Sequence, residues 1–317
     1  MTQPEMPLEK FACSDTNPGG FWDPYEKVYH VYSYQHLIQV SGYVKHVISN
    51  DRNTYDNSDV YFRGQKELYG HKLIPTLFRD EKKDSHENTE KINIQNRLSA
   101  IKAYCDDKVF DDIFTTDDSD IRKAILQHYG INTEWIDIVD NIWVALWFSC
   151  YECIFRRIKK DNNRATYVDF IQRTNSDIIT DKKAGEKADK KTNKHAYIHL
   201  IKAGRLPNEK ISGVFSNGES KLIDLRICAP STFVRPHAQH GLLVKCHQDS
   251  HHQRKDYADL IVGTIRIDLV HALDWLGQGQ SLTKQALFPS AFYDYGYADL
   301  LAFAPDAKPI LGNICIV

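Results

Sequence analysis

Between Asn141 and Arg157 the chain carries its most apolar stretch, and Val144, Leu146, Trp147, Phe148 and Tyr151 fall on nearly every side of a helix drawn through it. The spacing predicts a central buried helix over 141–157. A helix with no polar face must be wrapped by the rest of the chain. A length of 317 residues allows that, as one large domain or two small ones. The stretch is not a membrane span, because its apolar part, Ile142 to Ile154, is short and contains Glu152.

Apolar content of 42% and charged content of 26% are those of an ordinary soluble globular protein. The formal net charge of −2 excludes a broadly basic nucleic-acid footprint and leaves room for a local basic groove. The first eleven residues lack the basic start and apolar run of a signal peptide. Seven cysteines, scattered singly except for Cys150 and Cys153, read as reduced, mostly buried thiols. A cytosolic protein with no membrane segment is expected.

Residues 1–30 read as an N-terminal arm, rich in Pro, Gly and Asp over the first 25, and residues 31–317 as a single domain. Helices are expected at Tyr32–Ser49, Glu87–Phe110 and Asp120–Tyr129, the last closed by Gly130. Later helices are expected at Leu269–Leu276 and Ser290–Phe303. Strands are expected at Val60–Arg63, Ala165–Ile171, Leu222–Ile227, Gly241–Cys246 and Leu260–Ile267. The run near 180–195 holds Lys182, Lys183, Lys187, Lys190, Lys191 and Lys194 with no apolar face, and reads as a mobile insertion. Helices lead and strands follow, so the class is α+β, a helical N-terminal half packed on a mixed or antiparallel sheet.

Two motifs carry chemistry. Phe62-Arg63-Gly64-Gln65 ends a strand with an arginine, whose forked donors suit a phosphate. Gly64 allows a close backbone approach to a ligand. Gln127-His128-Tyr129-Gly130 ends a helix, with Thr133 and Asp137 following. Each residue also has a structural reading. Arg63 can pair with Asp137, and His128 can answer the helix dipole. Thr133 and Asp137 can make a turn and an N-cap. Cys150 and Cys153, at i and i+3 of the buried helix, read as packing residues. The histidines at 237, 240, 247, 251 and 252 span a strand and a loop, which does not suit a metal, and no metal site is expected.

In order, the chain shows Phe62-Arg63-Gly64-Gln65, Leu73–Leu77 with Arg79, Gln127-His128-Tyr129-Gly130, and Thr133 with Asp137. Ala145-Leu146-Trp147-Phe148, Arg235-Pro-His-Ala-Gln239-His-Gly241 and Phe288-Pro289 follow. This succession, over about residues 35–303, resembles the FRG domain family. It departs from the family at Glu134, where an arginine is usual, and at Ile138, where an aromatic is usual. The resemblance places an acid beside the expected pocket.

The strand-borne arginine of that family is similar to the first signature element of ADP-ribosyltransferases. The resemblance therefore implies an ADP-ribosyltransferase-like core and NAD as substrate. It makes Arg63, Asp137 and Gln239 the catalytic candidates. Arg63, Gly64, Gln65, His128, Tyr129 and Thr133 become candidates for holding NAD, with Tyr129 and Thr133 at the nicotinamide end and Gln239 orienting the ribose. The expected activity is transfer of ADP-ribose to a nucleic acid, RNA included, or to a protein, as a toxin or phage-defence effector with an antitoxin partner. Two rival readings are a metal-independent nuclease using its histidines, and a non-catalytic nucleotide-sensing module.

Overall fold

A computed structural model describes residues 7–14, 19–51, 53–79, 87–160, 163–174, 194–247 and 256–317. The Lys-rich run near 180–195 lies almost wholly outside the described residues, as do His251 and His252. The strands are β1 (Gly20–Asp23), β2 (Val28–Val31), β3 (Ser58–Gln65), β4 (Ile136–Val139), β5 (Tyr151–Lys160), β6 (Asn163–Gln172), β7 (His195–Gly204), β8 (Leu206–Pro207), β9 (Val214–Ser216), β10 (Ser220–Asp224), β11 (Gly241–Cys246), β12 (Ile261–Asp268) and β13 (Cys315–Ile316). The helices are α1 (Pro7–Ser14), α2 (Tyr34–Asn50), α3 (Glu87–Cys105), α4 (Val109–Ile113), α5 (Ser119–His128), α6 (Ile142–Cys150), α7 (Leu225–Cys228), α8 (Arg235–Ala238), α9 (Leu269–Trp275), α10 (Lys284–Leu287) and α11 (Tyr295–Phe303).

The fold is α+β. One large mixed sheet runs in the order β1-β2-β12-β7-β3-β4-β11-β10-β9-β8, and a second sheet runs β13-β6-β5. Pairing in the large sheet is antiparallel except between β2 and β12. The front half is not simply helical, because β1 to β4 all come from it.

Local chemistry explains the helices that the sequence announced. Ser33 caps α2 by accepting the His36 N–H, and Leu37, Val40, Val44 and Ile48 form its buried stripe. Asp118 caps α5 through the Asp120 and Ile121 N–H groups. Gly130, with φ of +113°, ends it in a conformation that a side chain would resist. A Cβ there would also strike the Cys315 sulfur.

Several expected boundaries change. The helix expected over 141–157 begins after Asn141, whose side chain accepts the Trp143 N–H, but stops at Cys150. The chain passes directly into β5, which pairs with β6 along its whole length. Cys153 therefore lies on a strand and is exposed, whereas Cys150 is buried at the helix end. Tyr151, Cys153 and Phe155, two residues apart, all face one cavity, so the period there is that of a strand. The long helix expected to Phe110 breaks after Cys105, where the Asp107 carboxylate accepts the Val109 N–H. The strand expected to Ile227 ends at Asp224, which caps α7. The last helix starts after Asp294, its cap, rather than at Ser290. Asp137 is no N-cap; it sits within β4.

Helix α6 lies on the large sheet. Val144, Leu146, Trp147 and Cys150 pack with Val60 and Phe62 of β3 and Leu37, Val40 and Val44 of α2. Burying a large apolar side chain fully contributes roughly 1.5–3 kcal/mol. A second cluster gathers α3, α4, α5 and α11 around Trp135, Tyr129 and Phe233.

Candidate active site

β3 and β4 are neighbours in the sheet, yet they pair only at Phe62 and Val139. Beyond that pair the strands part. Arg63, the next residue on β3, sends Nη1 across the gap to the carbonyl oxygen of Asp137. A side-chain donor takes the place of a ladder bond where the ladder is interrupted. Gly64 then lies directly under α6. A Cβ on it would stand 1.8 Å from the Ala145 carbonyl oxygen and 2.9 Å from the Ser149 nitrogen. The glycine is needed for helix packing, a different reason from the ligand approach expected of it.

Asp137 is held by α5. Gln127 Nε2 donates to Asp137 Oδ2 at 3.1 Å, and His128 Nδ1 contacts Asp137 Oδ1 at 3.4 Å. An ionised carboxylate only accepts, so the network assigns the His128 proton to Nδ1. The Gln127 orientation is also fixed. Its Oε1 receives the Thr76 hydroxyl, the Thr133 N–H and the Thr133 hydroxyl at 2.9–3.2 Å. With its oxygen occupied, its amide must face Asp137. Protein surrounds Asp137, yet its side chain keeps 39% of its exposure, as on a cavity wall. Burial opposes its charge, but the His128 hydrogen bond, Arg63 and Gln127 outweigh that and hold its pKa below the usual carboxylate range. Burial, with Arg79 nearby, lowers the Arg63 pKa to about 10, still charged at neutral pH.

Arg235, the first residue of α8, is 2% exposed. Its guanidinium carbon stands 4.3 Å from the Tyr129 ring centre and 4.4 Å from that of Tyr297, with Phe288 at 5.5 Å. Tyr129 donates its hydroxyl to Asp294 Oδ2 at 2.7 Å, and the Arg235 N–H donates to the same oxygen at 3.0 Å. The guanidinium itself makes one long bond, Nη1 to the His128 carbonyl at 3.5 Å. Among the described residues its Nε and Nη2 are buried without partners, as are Arg63 Nε and His128 Nε2.

All three residues line one cavity of 340 Å³, with Asp137 and Gln239. Phe148, Tyr151, Phe170 and Phe288 form its apolar side. Gln239 caps α8 and donates Nε2 to the Leu287 carbonyl at 2.9 Å, fixing the turn that carries Phe288. A second cavity of 500 Å³ shares Arg63, Gly64, Phe148, Tyr151, Cys153 and Phe155 with the first. The two meet at the strand end that bears Arg63.

Residues 58–157 match the FRG domain family. No curated protein and no solved structure matches the chain. The FRG match runs from β3 to β5, so it contains Arg63, Gln127, His128, Asp137 and α6. Arg235, Gln239 and Phe288 complete the cavity from beyond it.

The FRG segment thus brings together Arg63, Gly64, His128, Tyr129 and Asp137, and α8 adds Gln239. Tyr129 is fully buried, with its ring under Arg235. Thr133 is also fully buried and does not line the cavity; it reaches Asp137 only through Gln127. Gln65 lines the second cavity, where His199 Nε2 holds its Oε1 at 3.0 Å. Glu134, expected beside the pocket, faces elsewhere. It is 5% exposed, pairs with Lys123 at 2.9 Å, and lines a separate cavity with Lys245. The acid therefore does not alter the Arg63 cavity. Sequence reasoning left Gln127 and Arg235 out of the site, although both stood in quoted motifs. The signal for Gln127 was its place before His128. For Arg235 it was a cation amid apolar neighbours.

Proposed function

We propose that the Arg63–Asp137–Arg235 cavity binds NAD and that the protein transfers ADP-ribose to a macromolecular acceptor. The observation that carries this reading is the set of buried nitrogens without partners among the described residues on Arg63 and Arg235, two side chains of the same cavity wall, whose only acidic side chain among the described residues is Asp137. A buried donor left unpaired costs about 1–3 kcal/mol, and more when charged. A pyrophosphate between the two guanidinium groups satisfies them with charge-assisted bonds. The aromatic side suits the nicotinamide and its ribose.

In this reading Asp137, kept ionised by Gln127 and His128, faces the anomeric carbon. It stabilises the oxocarbenium-like charge that develops as the bond to nicotinamide breaks. Nicotinamide leaves neutral with the bonding pair. An acceptor nucleophile forms the new bond to the same carbon and gives up a proton. Gln239 leaves its carbonyl oxygen for a ribose hydroxyl. Tyr129 and Thr133 act through Arg235 and Gln127 and do not touch the ligand. Such a protein acts as a toxin or phage-defence effector, and an antitoxin partner restrains it.

The test is calorimetric binding of NAD, followed by nicotinamide release from labelled NAD. Asp137→Asn abolishes release and keeps binding; Arg63→Ala weakens binding at least tenfold. Equal binding and release by both variants and the parent would exclude the reading, and cleavage of nucleic acid without NAD would replace it with a nuclease.

A further inference from the structure

We propose that the second cavity receives a single strand of nucleic acid as the acceptor, an inference that rests on the NAD reading above. A transferase needs a donor site and an acceptor site that share a wall. Here they share Arg63, Gly64, Phe148, Tyr151, Cys153 and Phe155.

The charge of the second cavity selects its occupant. Beyond Arg63 its lining includes Lys66, Lys72 and Arg79, and no carboxylate among the described residues. Lys66 is engaged by Glu152 at 2.5 Å, and Glu67 acts on it from nearby; neither acid lines the cavity. Lys72 is exposed and makes no ion pair among the described residues. Such a wall attracts a polyanion.

The cations are interleaved with aromatic rings, which an acidic peptide does not need and a nucleobase does. Tyr69 stands on the rim with half its surface exposed. It is held there by an unusual backbone. Tyr69, Gly70 and His71 all take positive φ, at +48°, +64° and +57°. Left-handed non-glycine residues cost of the order of 1 kcal/mol or more each and persist where neighbours hold them. His71 is so held, by a 2.9 Å contact of Nε2 with the Glu26 carbonyl. The result is a ring platform beside Lys66 and Lys72. Bases stack on such platforms while phosphates follow the cations, and every base can do so. The cavity is too small for a duplex, so the strand enters single and offers an unstacked base or a sugar.

The transfer balances. An acceptor nitrogen or oxygen forms a bond to the anomeric carbon, and the bond to nicotinamide breaks with its electron pair. Asp137 accepts the acceptor's proton and passes it to solvent.

The test uses the full chain and short fluorescent oligothymidylate and oligouridylate, without NAD. The protein binds them, and raising the salt weakens binding, as for a few phosphate contacts. Tyr69→Ala combined with Lys72→Glu weakens binding at least tenfold with an unchanged melting temperature. Lys210→Glu, an exposed lysine beyond the β8 edge, leaves binding unchanged. With labelled NAD, the label appears on the oligonucleotide. No oligonucleotide binding, equal weakening by Lys210→Glu, or label on protein acceptors alone overturns the proposal. Failure of the NAD reading looks different: no NAD binding and no nicotinamide release, whatever the oligonucleotide does.

Discussion

Gln127 gives its amide to the Asp137 carboxylate at 3.1 Å because three donors from Thr76 and Thr133 already hold its oxygen. The relation sets the charge of the site from a residue that does not meet the anomeric carbon. Gln127→Glu keeps an oxygen for the three donors and places a second carboxylate against Asp137. Two adjacent carboxylates resist ionising together, so the apparent pKa of the pair rises. The Asp137 pKa is depressed in the parent, so its anion persists to low pH. The acidic limb of NAD turnover therefore moves to higher pH in the variant, by about one unit or more. Rate against pH, with a melting curve as control, reads the shift. An unmoved limb separates Gln127 from the chemistry.

Gly64→Ala tests the packing that opens the cavity. The new methyl would meet the Ala145 carbonyl oxygen, which belongs to the backbone of α6 and cannot rotate away. Overpacking usually costs about 1–3 kcal/mol, and a collision with helix backbone belongs at or above the top of that range. Urea denaturation gives the loss directly. A midpoint within error of the parent would mean that α6 does not rest on β3 at this residue.

How far the sequence foretold these relations depends on what each one needs. Arg63, His128 and Asp137 stand within short motifs, and their order alone placed them together. The α2 stripe and the stop of α5 at Gly130 are local, so helical period and a glycine after the last turn sufficed. The junction of α6 and β5 was not legible. No glycine or proline separates Cys150 from Tyr151, and the apolar residues after it satisfy either period. Only pairing with β6 decides for a strand. The role of Arg235 was hidden for a similar reason. Its missing partners follow from packing between Tyr129 and Tyr297, which are 168 residues apart in sequence. The ADP-ribosyltransferase-like core remains part of the functional proposal, because the FRG match names a family and no reaction.

His199 gives a pH dependence of stability. It is fully buried on β7, with Nδ1 against the Thr264 hydroxyl at 2.8 Å and Nε2 against Gln65 Oε1 at 3.0 Å. Burial first, then Arg63 and His71, push its pKa down to about 3 from its ordinary value of 6.5. The unfolded chain therefore binds the proton first as pH falls. The contribution of neutral His199 is intact above pH 6.5 and declines between 6.5 and about 3. Within that window the slope approaches about 1.4 kcal/mol per pH unit. His199→Gln removes the slope. Unfolding free energies at several pH values, parent minus variant, test it; a constant difference counts against a neutral buried imidazole.

Arg235→Met separates a functional cation from a structural one. The guanidinium lies between two rings with Nε and Nη2 unpaired among the described residues, and Asp294 accepts from its backbone rather than from its side chain. A buried charge of this kind is weak support for a fold, and replacing one by an apolar side chain of similar length is often neutral or stabilising. Methionine fills the slot and keeps contact with the aromatic rings. Stability should hold within about 1 kcal/mol or rise. NAD affinity should fall at least about tenfold, the loss of one charge-assisted pair to a phosphate. Denaturant unfolding and calorimetric titration of the same preparation measure both. If stability and affinity fall together, Arg235 holds the fold; if affinity alone falls, the unpaired nitrogens belong to the ligand.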